Sequence, residues 1–263
     1  MQFKDFFSGH AADYKTFRPA YPPALFEYLA SLAPGHERAW DCATGNGQAA
    51  LALAPYFRHV VATDASREQI AQAKQAPGVE YVVAPAEQSN IASGTVDLVV
   101  VAQALHWFDI PRFFAEVNRV AKPGGVVACW CYGLMTVRPD IDTLTLRLYD
   151  DILGPYWPPE RRLVEERYRT ISFPFIELSP PAFQMEQRWD LEQMVGYLGT
   201  WSSSRNYQRA NGVDPLTLIG DELLTAWGDP ADAKHVVWPL HLRVGKVGIN
   251  RQPHQAPNKK ATE

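Results

Sequence analysis

The 263-residue sequence is poor in cysteine, with only Cys42, Cys129 and Cys131, and all three lie in apolar runs. Because their number is odd and their spacing is not that of metal ligands, we expect neither a disulfide framework nor a metal site, and a reducing, cytoplasmic location. No apolar run reaches the about 18 residues of a membrane-spanning helix. The first residues also lack the apolar stretch of a secretion signal, so we expect no membrane segment.

The sequence has no excess of positive charge either, since its formal net charge is −4 at pH 7. A nucleic-acid-binding domain usually carries a basic face, so we expect a small-molecule partner and no nucleic acid. Hydrophobic residues make up 46% of the chain, which is enough for one large core. We therefore expect a monomer or a weak homodimer built from a single domain.

What the sequence does contain is an alternation of short apolar runs with segments of helical periodicity. Strands are predicted at Arg38–Ala43, His59–Asp64, Val79–Ala84, Val96–Ala102, Val126–Cys131, Phe183–Trp189 and His235–Val247, the last with Pro239 suggesting an edge or a bulge. Strands that alternate with helices predict a mostly parallel sheet, with seven strands and helices on both faces. The predicted parts are an N-terminal lid (1–37), a core (38–131), a helical cap (132–232) and a last strand (234–247) within one domain over 1–247, followed by a flexible tail (248–263).

A glycine-containing segment, Asp41-Cys42-Ala43-Thr44-Gly45-Asn46-Gly47, joins the first predicted strand to the first predicted helix of the core. Glycines there let the backbone approach a ligand, and a helix N-terminus favours anionic groups. The spacing Gly45-x-Gly47-x-x-Ala50 also fits the dinucleotide fingerprint, and Asp64 fits the acid that binds a ribose. The residues alone therefore leave both an S-adenosylmethionine site and an NAD site open. No Tyr-x-x-x-Lys constellation supports hydride transfer, and no Gly-x-Ser-x-Gly supports a hydrolase.

Several segments together resemble the class I S-adenosylmethionine-dependent methyltransferases of type 11. The first glycine segment is similar to their motif D-x-G-x-G-x-G, with Ala43 in place of the first glycine, and Val96-Asp97-Leu98-Val99 resembles their fourth-strand motif. The segments that resemble the group similar to trans-aconitate methyltransferase are Tyr14-x-x-x-Arg18-Pro19-x-Tyr21-Pro22, Ala102–Asp109 with its His-Trp-Phe, and Tyr197–Ser202. The resemblance implies a Rossmann-like fold and methyl transfer to a small molecule. A non-catalytic S-adenosylmethionine-binding protein and an NAD(P)-dependent oxidoreductase are the alternatives.

The resemblance also implies which residues bind the cofactor. Asp41 and the loop after it would hold its methionine end, Asp64 its ribose and Glu87 its adenine. Arg18 would pair either with the cofactor carboxylate or with a surface acid. The implied set is Tyr14, Arg18, Tyr21, Asp41, Ala43, Gly45, Gly47, Asp64, Ala65, Ala86, Glu87, Gln103 and Ala104.

His106 and Trp107 follow the fourth strand and are the predicted catalytic residues. His106 would act as a general base, line the pocket or bind a substrate carboxylate, and Trp107 would pack on the sulfonium or on the substrate. The resemblance suggests O-methylation of a carboxylate, a nucleophile that is already ionised at neutral pH. The substrate candidates are Trp201, Arg205 and Arg209, with either arginine or His106 holding the acid.

Overall fold

A computed structural model of the chain describes residues 18–248. The strands are β1 (Arg38–Cys42), β2 (His59–Asp64), β3 (Val79–Val83), β4 (Val96–Ala102), β5 (Ala121–Cys131), β6 (Ile176–Leu178), β7 (Phe183–Trp189) and β8 (Lys234–Lys246). The α-helices are α1 (Pro23–Leu32), α2 (Gln48–Leu53), α3 (Arg67–Ala71), α4 (Ile110–Val120), α5 (Pro139–Arg147), α6 (Arg161–Glu165), α7 (Leu191–Gly199), α8 (Ser202–Asn211) and α9 (Gly220–Trp227).

The sheet has the strand order β3-β2-β1-β4-β5-β8-β6, and β7 pairs with the first half of β8. Neighbours among β1 to β5 are parallel, and β8 runs antiparallel to β5, β6 and β7. This arrangement confirms the predicted mixed α/β fold with a mostly parallel sheet. Seven strands form its continuous order and β7 pairs with β8 as an eighth, and β6 is the strand that the sequence did not predict. The order reverses between β1 and β4, which places the carboxyl ends of these two strands beside a crevice.

The alternating side chains of β4 supply the cores on both faces of the sheet. Leu98 and Val100 belong to one buried cluster, and Val99 and Val101 belong to another. Helices cover each face, as a parallel sheet requires, because its strands are apolar on both sides. The first cluster packs against α1 and α2, and the second packs against α4 through Phe113, Phe114, Val117 and Val120.

The elements after β5 differ most from the prediction. Strand β6 was not predicted, because it has only three residues and two of them are exposed. Helix α8 was not predicted either, since it is polar and its fully buried members are Ser203 and Ser204. Pro239, which suggested an edge or a bulge, lies in regular register with Gln184, two residues before β8 starts to pair with β5.

Within the core, the start of one strand also differs from the prediction. Strand β5 begins at Ala121 rather than Val126, because Ala121 pairs with Val96 before a register irregularity. Helix α3 starts where the sequence predicts a cap, with the Ser66 hydroxyl accepting from the Gln69 backbone at 3.2 Å. None of the helices between residues 18 and 248 combines the length and apolarity that crossing a bilayer requires.

Candidate active site

The loop after β1 is tied to the ends of β1 and β2. The Thr44 amide donates to the Thr63 carbonyl at 2.9 Å, and the Gly45 amide donates to Asp64 Oδ2 at 2.8 Å. The other carboxylate oxygen of Asp64 accepts from the Ser66 amide, also at 2.8 Å. Asp64 thus fixes the two loops that follow β1 and β2 against one another, at the edge where ligands bind in open α/β sheets.

Asp41 is a buried acid at the end of β1. Its Oδ2 accepts from the Thr44 hydroxyl at 2.5 Å, whereas Oδ1 has no hydrogen-bond partner within residues 18–248. Burial raises the pKa of Asp41 to about 7, and the charge of Asp64 raises it further, whereas the Thr44 hydroxyl and the nearby Ala50 backbone lower it. A buried acceptor without a donor is costly, so this oxygen suits a cationic or hydrogen-bond-donating ligand group.

The turn into α2 leaves no room for a side chain. Gly47 has φ +90°, and a Cβ there would lie 2.2 Å from the Tyr81 hydroxyl oxygen. Tyr81 itself donates to the Lys74 carbonyl at 3.0 Å. Gln48, the next residue, donates from Nε2 to the Pro19 carbonyl at 3.0 Å, which ties the N-terminal segment to this turn.

Glu87 lies beyond β3 and holds the start of α4. Its Oε1 accepts from the Asp109 amide at 2.9 Å, and Oε2 has no partner among the residues described. Ala86 beside it is buried, whereas Ala65 beyond β2 is exposed. One oxygen of Glu87 is therefore left to accept from a ligand, and the adenine role stays a prediction.

Gln103 joins the ends of β4 and β5. Its Nε2 donates to the Tyr132 carbonyl at 3.0 Å, and its Oε1 accepts from the Tyr132 amide at 2.8 Å. The residue has φ +55°, which is uncommon outside glycine and often marks a functional site. The amide side chain is thus occupied by protein backbone, and the buried Ala104 follows it.

A pocket opens beyond the carboxyl end of β4 and is covered by the cap. It brings together five of the predicted site residues, namely Arg18, Gln103, His106, Trp107 and Trp201. Among residues 18–248, the lining is Arg18, Gln103, His106, Trp107, Tyr132, Gly133, Trp157, Pro158, Arg161, Tyr197, Trp201 and Ser202. These lining residues include two guanidinium groups and no carboxylate, so they favour an anionic occupant.

The N-terminal segment reaches the pocket through Arg18. Its Nη1 donates to the Tyr132 hydroxyl at 3.0 Å, and its guanidinium lies 5.4 Å from the ring centre of Tyr197. Tyr21 packs edge-on against Trp130 with 5.4 Å between ring centres. Tyr14, the third residue predicted to cover the site from this segment, lies outside the described residues.

His106 is buried against the pocket wall. Its Nδ1 lies 2.9 Å from the Tyr168 hydroxyl, and its ring packs on Trp107 at 4.7 Å between centres. Burial, and then the positive charge of Arg161, lower the pKa of His106 to about 3. The imidazole is therefore neutral at physiological pH and is a weak base.

Arg161 is a pocket residue that the sequence did not indicate. Its Nε donates to the Tyr149 hydroxyl at 2.7 Å, Tyr149 donates to Glu165 at 2.9 Å, and the guanidinium lies 4.8 Å from the ring centre of Trp157. Its two terminal amino groups make no hydrogen bond to any residue from 18 to 248. No motif marks this position, and only the density of tryptophan, tyrosine and proline around it hints at a pocket.

The predicted substrate residues fall into two groups. Trp201 lines the pocket, but Arg205 and Arg209 do not line it, and Arg209 is exposed. Trp201 precedes α8, and Arg205 and Arg209 lie within this helix. Only the start of the helix, through Trp201 and Ser202, reaches the pocket. Of the cap arginines, Arg161 lines the pocket, and the substrate roles of Arg205 and Arg209 stay predictions.

Comparisons with known proteins agree on one family. The type 11 family model described as "Methyltransferase domain" matches residues 40–129. A Dictyostelium discoideum protein named as a methyltransferase is 33% identical over 252 residues, which cover 93% of this chain and 96% of that protein. A solved structure from Anaeromyxobacter dehalogenans, named as a type II methyltransferase, is 47% identical with a TM-score of 0.84, covering 88% of this chain and 99% of its own.

A more distant structure shares the fold alone. Phosphoethanolamine N-methyltransferase 2 of Haemonchus contortus, solved with phosphomonomethylethanolamine and S-adenosylhomocysteine, is 16% identical with a TM-score of 0.50. It covers 95% of this chain and 61% of its own. The narrower resemblance to the trans-aconitate group stays a prediction.

The residues at the carboxyl ends of β1 and β2 fit S-adenosylmethionine, the cofactor of this family. The Oδ1 atom of Asp41, which has no partner within residues 18–248, suits its amino group. The comparisons favour this cofactor over the dinucleotide that the glycine spacing alone left open. The chain belongs to the class I S-adenosylmethionine-dependent methyltransferases of type 11.

Proposed function

We propose that this methyltransferase methylates a carboxylate oxygen of a small molecule bound in the pocket beyond β4. The observation that carries the proposal is the guanidinium of Arg161 in that pocket, whose lining among residues 18–248 contains no carboxylate. Guanidinium groups bind carboxylates with paired, charge-assisted hydrogen bonds. The aromatic side chains around them limit the occupant to a small molecule.

The protonation state of His106 favours the same class of nucleophile. When bound, S-adenosylmethionine supplies a methyl group on a positively charged sulfur, which a nucleophile takes by in-line displacement. An ionised carboxylate brings its own electron pair and releases no proton, whereas a phenol or an ammonium group must first lose one. Because the pKa of His106 is lowered to about 3, this residue is poorly suited to remove that proton.

Arg161 is the group that we assign to the acceptor carboxylate. Tyr149 and Trp157 hold its guanidinium in place, while its terminal amino groups remain available. A side chain that is already ordered loses less entropy when it binds a ligand, and it fixes the position of the reacting oxygen. Trp107 and Trp201 pack around this position and exclude water from it.

The cofactor is assigned to the residues at the ends of β1, β2 and β3. Asp41 would accept from its amino group and Arg18 would pair with its carboxylate. Asp64 would accept from the ribose hydroxyls, because its carboxylate lies at the carboxyl end of β2, where it accepts from the Gly45 and Ser66 amides of the two neighbouring loops. Glu87 would accept from the adenine amino group through Oε2.

A panel of small carboxylic acids with methyl-labelled S-adenosylmethionine tests this function. We expect label in a product that alkali hydrolyses, because methyl esters are labile and N- or C-methyl groups are not. Arg161→Gln should lower kcat/KM for the acid by roughly tenfold or more, the scale of one lost charge-assisted pair. Arg162→Gln is the matched control, because Arg162 is the adjacent residue of α6 and its side chain is exposed.

Two outcomes would contradict the proposal. One is labelled product that survives alkali, which would place the methyl group on nitrogen or carbon. The other is an equal effect of the Arg161 and Arg162 substitutions on turnover of the acid. The expectations of a cytoplasmic location and of a monomer or weak homodimer stay predictions.

A further inference from the structure

Tyr168 is a buried residue that lies behind His106 and has no role in the methyl transfer described above. It has φ +57° and follows Arg167, which has φ +58°. Arg243 of β8 donates to the carbonyls of Tyr168 and Ile171 at 2.9 and 2.6 Å, and so holds the turn that carries the phenol. A backbone in this conformation is held by its surroundings, which is typical of residues that place a side chain for function.

The hydroxyl of Tyr168 meets one side-chain partner, His106 Nδ1, at 2.9 Å. Burial raises the pKa of Tyr168 well above its usual value of 10, so the phenol keeps its proton. This buried proton needs an acceptor. Within residues 18–248, the acceptor at hydrogen-bond distance is Nδ1.

The two tautomers of His106 differ in how many of these groups they satisfy. If Nδ1 carried the proton, it would donate to the phenol oxygen, and the buried phenol proton would have no acceptor. If Nδ1 is bare, the phenol donates to it and both groups are satisfied. A buried hydroxyl without an acceptor is destabilising, so the second arrangement is the favoured one.

We infer that Tyr168 is a positioning residue that fixes His106 in the tautomer with a bare Nδ1 and a protonated Nε2. His106 lines the pocket, and its Nε2 is not among the fully buried atoms that lack a partner. The Nε2–H group is then presented to the pocket as a neutral hydrogen-bond donor for the acceptor's carboxylate. The identity of that acceptor rests on the proposed function, whereas the tautomer does not.

The tautomer can be read directly from the ring nitrogens. Protein labelled with ¹⁵N in its histidine rings is recorded with S-adenosylhomocysteine, and His106 is assigned by its absence from the spectrum of His106→Gln. We expect wild-type His106 to show a protonated Nε2 and a bare Nδ1 at neutral pH. In Tyr168→Phe, we expect a mixture of both tautomers, because the phenyl ring keeps the packing but no longer donates.

Tyr156→Phe is the matched control. It removes a hydroxyl of the same cap that bonds Asn211 and lies outside the pocket lining. This variant should leave the His106 signals unchanged. A protonated Nδ1 in the wild type, or an unchanged tautomer in Tyr168→Phe, would overturn the inference without the need for any acceptor.

Kinetics separate a positioning role from a merely structural one. With a carboxylic acid that the wild type methylates, Tyr168→Phe should raise the acceptor KM roughly three- to tenfold, the scale of one hydrogen bond, and leave the KM for S-adenosylmethionine unchanged. His106→Gln keeps an amide donor, so adding Tyr168→Phe to it should cause no further rise. A further rise of the same size would show that Tyr168 does not act through His106.

The two proposals fail in different ways. If no carboxylic acid is methylated, the proposed function fails, and the ring-nitrogen spectra still decide the role of Tyr168. If an acid is methylated but wild-type His106 carries its proton on Nδ1, the inference about Tyr168 fails alone.

Discussion

Asp41 shows how a single buried residue links binding to stability. Its pKa rises from 3.8 to about 7, so between these values the folded chain holds a proton that the unfolded chain has lost. Stability therefore falls as the pH rises through this window, by about 1.4 kcal/mol for each pKa unit as an upper bound. A cationic group of the cofactor beside Oδ1 would lower this pKa, so we expect binding to be tighter above about pH 7 than below it.

Replacing Asp41 with asparagine should therefore separate stability from binding. Relative to the wild type, Asp41→Asn should gain more stability at about pH 8 than at about pH 5, on the order of 1–3 kcal/mol. It should also weaken S-adenosylhomocysteine binding by roughly tenfold or more, because a charged partner is lost. Denaturant titrations at both pH values measure the first effect, and calorimetric titration measures the second.

Asp97→Asn is the control for this experiment. Asp97 is buried at the amino end of β4, where it accepts from the Glu37 and Arg38 amides and pairs with Lys122 at 2.7 Å. Removing its charge should destabilise the protein at both pH values and leave ligand binding intact. A stability difference for Asp41→Asn that does not change with pH would show that its carboxyl does not titrate in this window.

At the scale of elements, the turn between β1 and α2 depends on the absence of a side chain. Gly47→Ala would force a left-handed backbone on alanine and place its Cβ against the Tyr81 hydroxyl. Gly124 in β5 has a similar φ of +75° but nothing within 4 Å of its would-be Cβ. We expect about 1–2 kcal/mol of destabilisation for Gly124→Ala and at least about 1 kcal/mol more for Gly47→Ala.

Denaturant unfolding and titration with S-adenosylhomocysteine measure these effects. Only Gly47→Ala should weaken binding, and Tyr81→Phe in the same chain should restore part of its stability, because it removes the closest atom. Equal destabilisation by the two alanine substitutions would mean that the contact with Tyr81 is relieved at no cost.

The sequence predicts best those strands and site residues whose positions depend on their own segment of the chain. Strand β4 is apolar nearly throughout. Asp41 and Asp64 lie at the carboxyl ends of β1 and β2 and His106 follows β4, so their position at one edge of the sheet follows from the parallel order. Helix α8 has no apolar period and is anchored through small polar groups such as Ser204, which donates to the Leu198 carbonyl at 2.9 Å. Arg161 owes its position to Tyr149, twelve residues away along the chain. Such contacts arise from tertiary packing and leave no periodic signal.

The whole molecule is joined across its core and cap by β8. Residues Lys234–Leu240 of this strand pair with β7, and His241–Lys246 pair with β5. One buried cluster runs from Leu25 and Val100 to Trp227 in the cap. Since no boundary divides this cluster, the cap should not unfold separately from the core.

A cavity in the cap tests this cooperativity. Met194 of α7 is fully buried, whereas Val195 beside it is 37% exposed. Met194→Ala should destabilise the protein by about 2–4 kcal/mol, and Val195→Ala should change stability by less than about 1 kcal/mol.

Tryptophan fluorescence reports mainly on the cap, because Trp157, Trp189, Trp201, Trp227 and Trp238 lie beyond the core, and far-UV circular dichroism reports on the whole chain. In Met194→Ala both signals should shift to the same lower denaturant concentration, because the cavity weakens one continuous unit. If fluorescence changes first while circular dichroism persists, the cap unfolds alone, and the pairing of β8 with β5 does not couple it to the core.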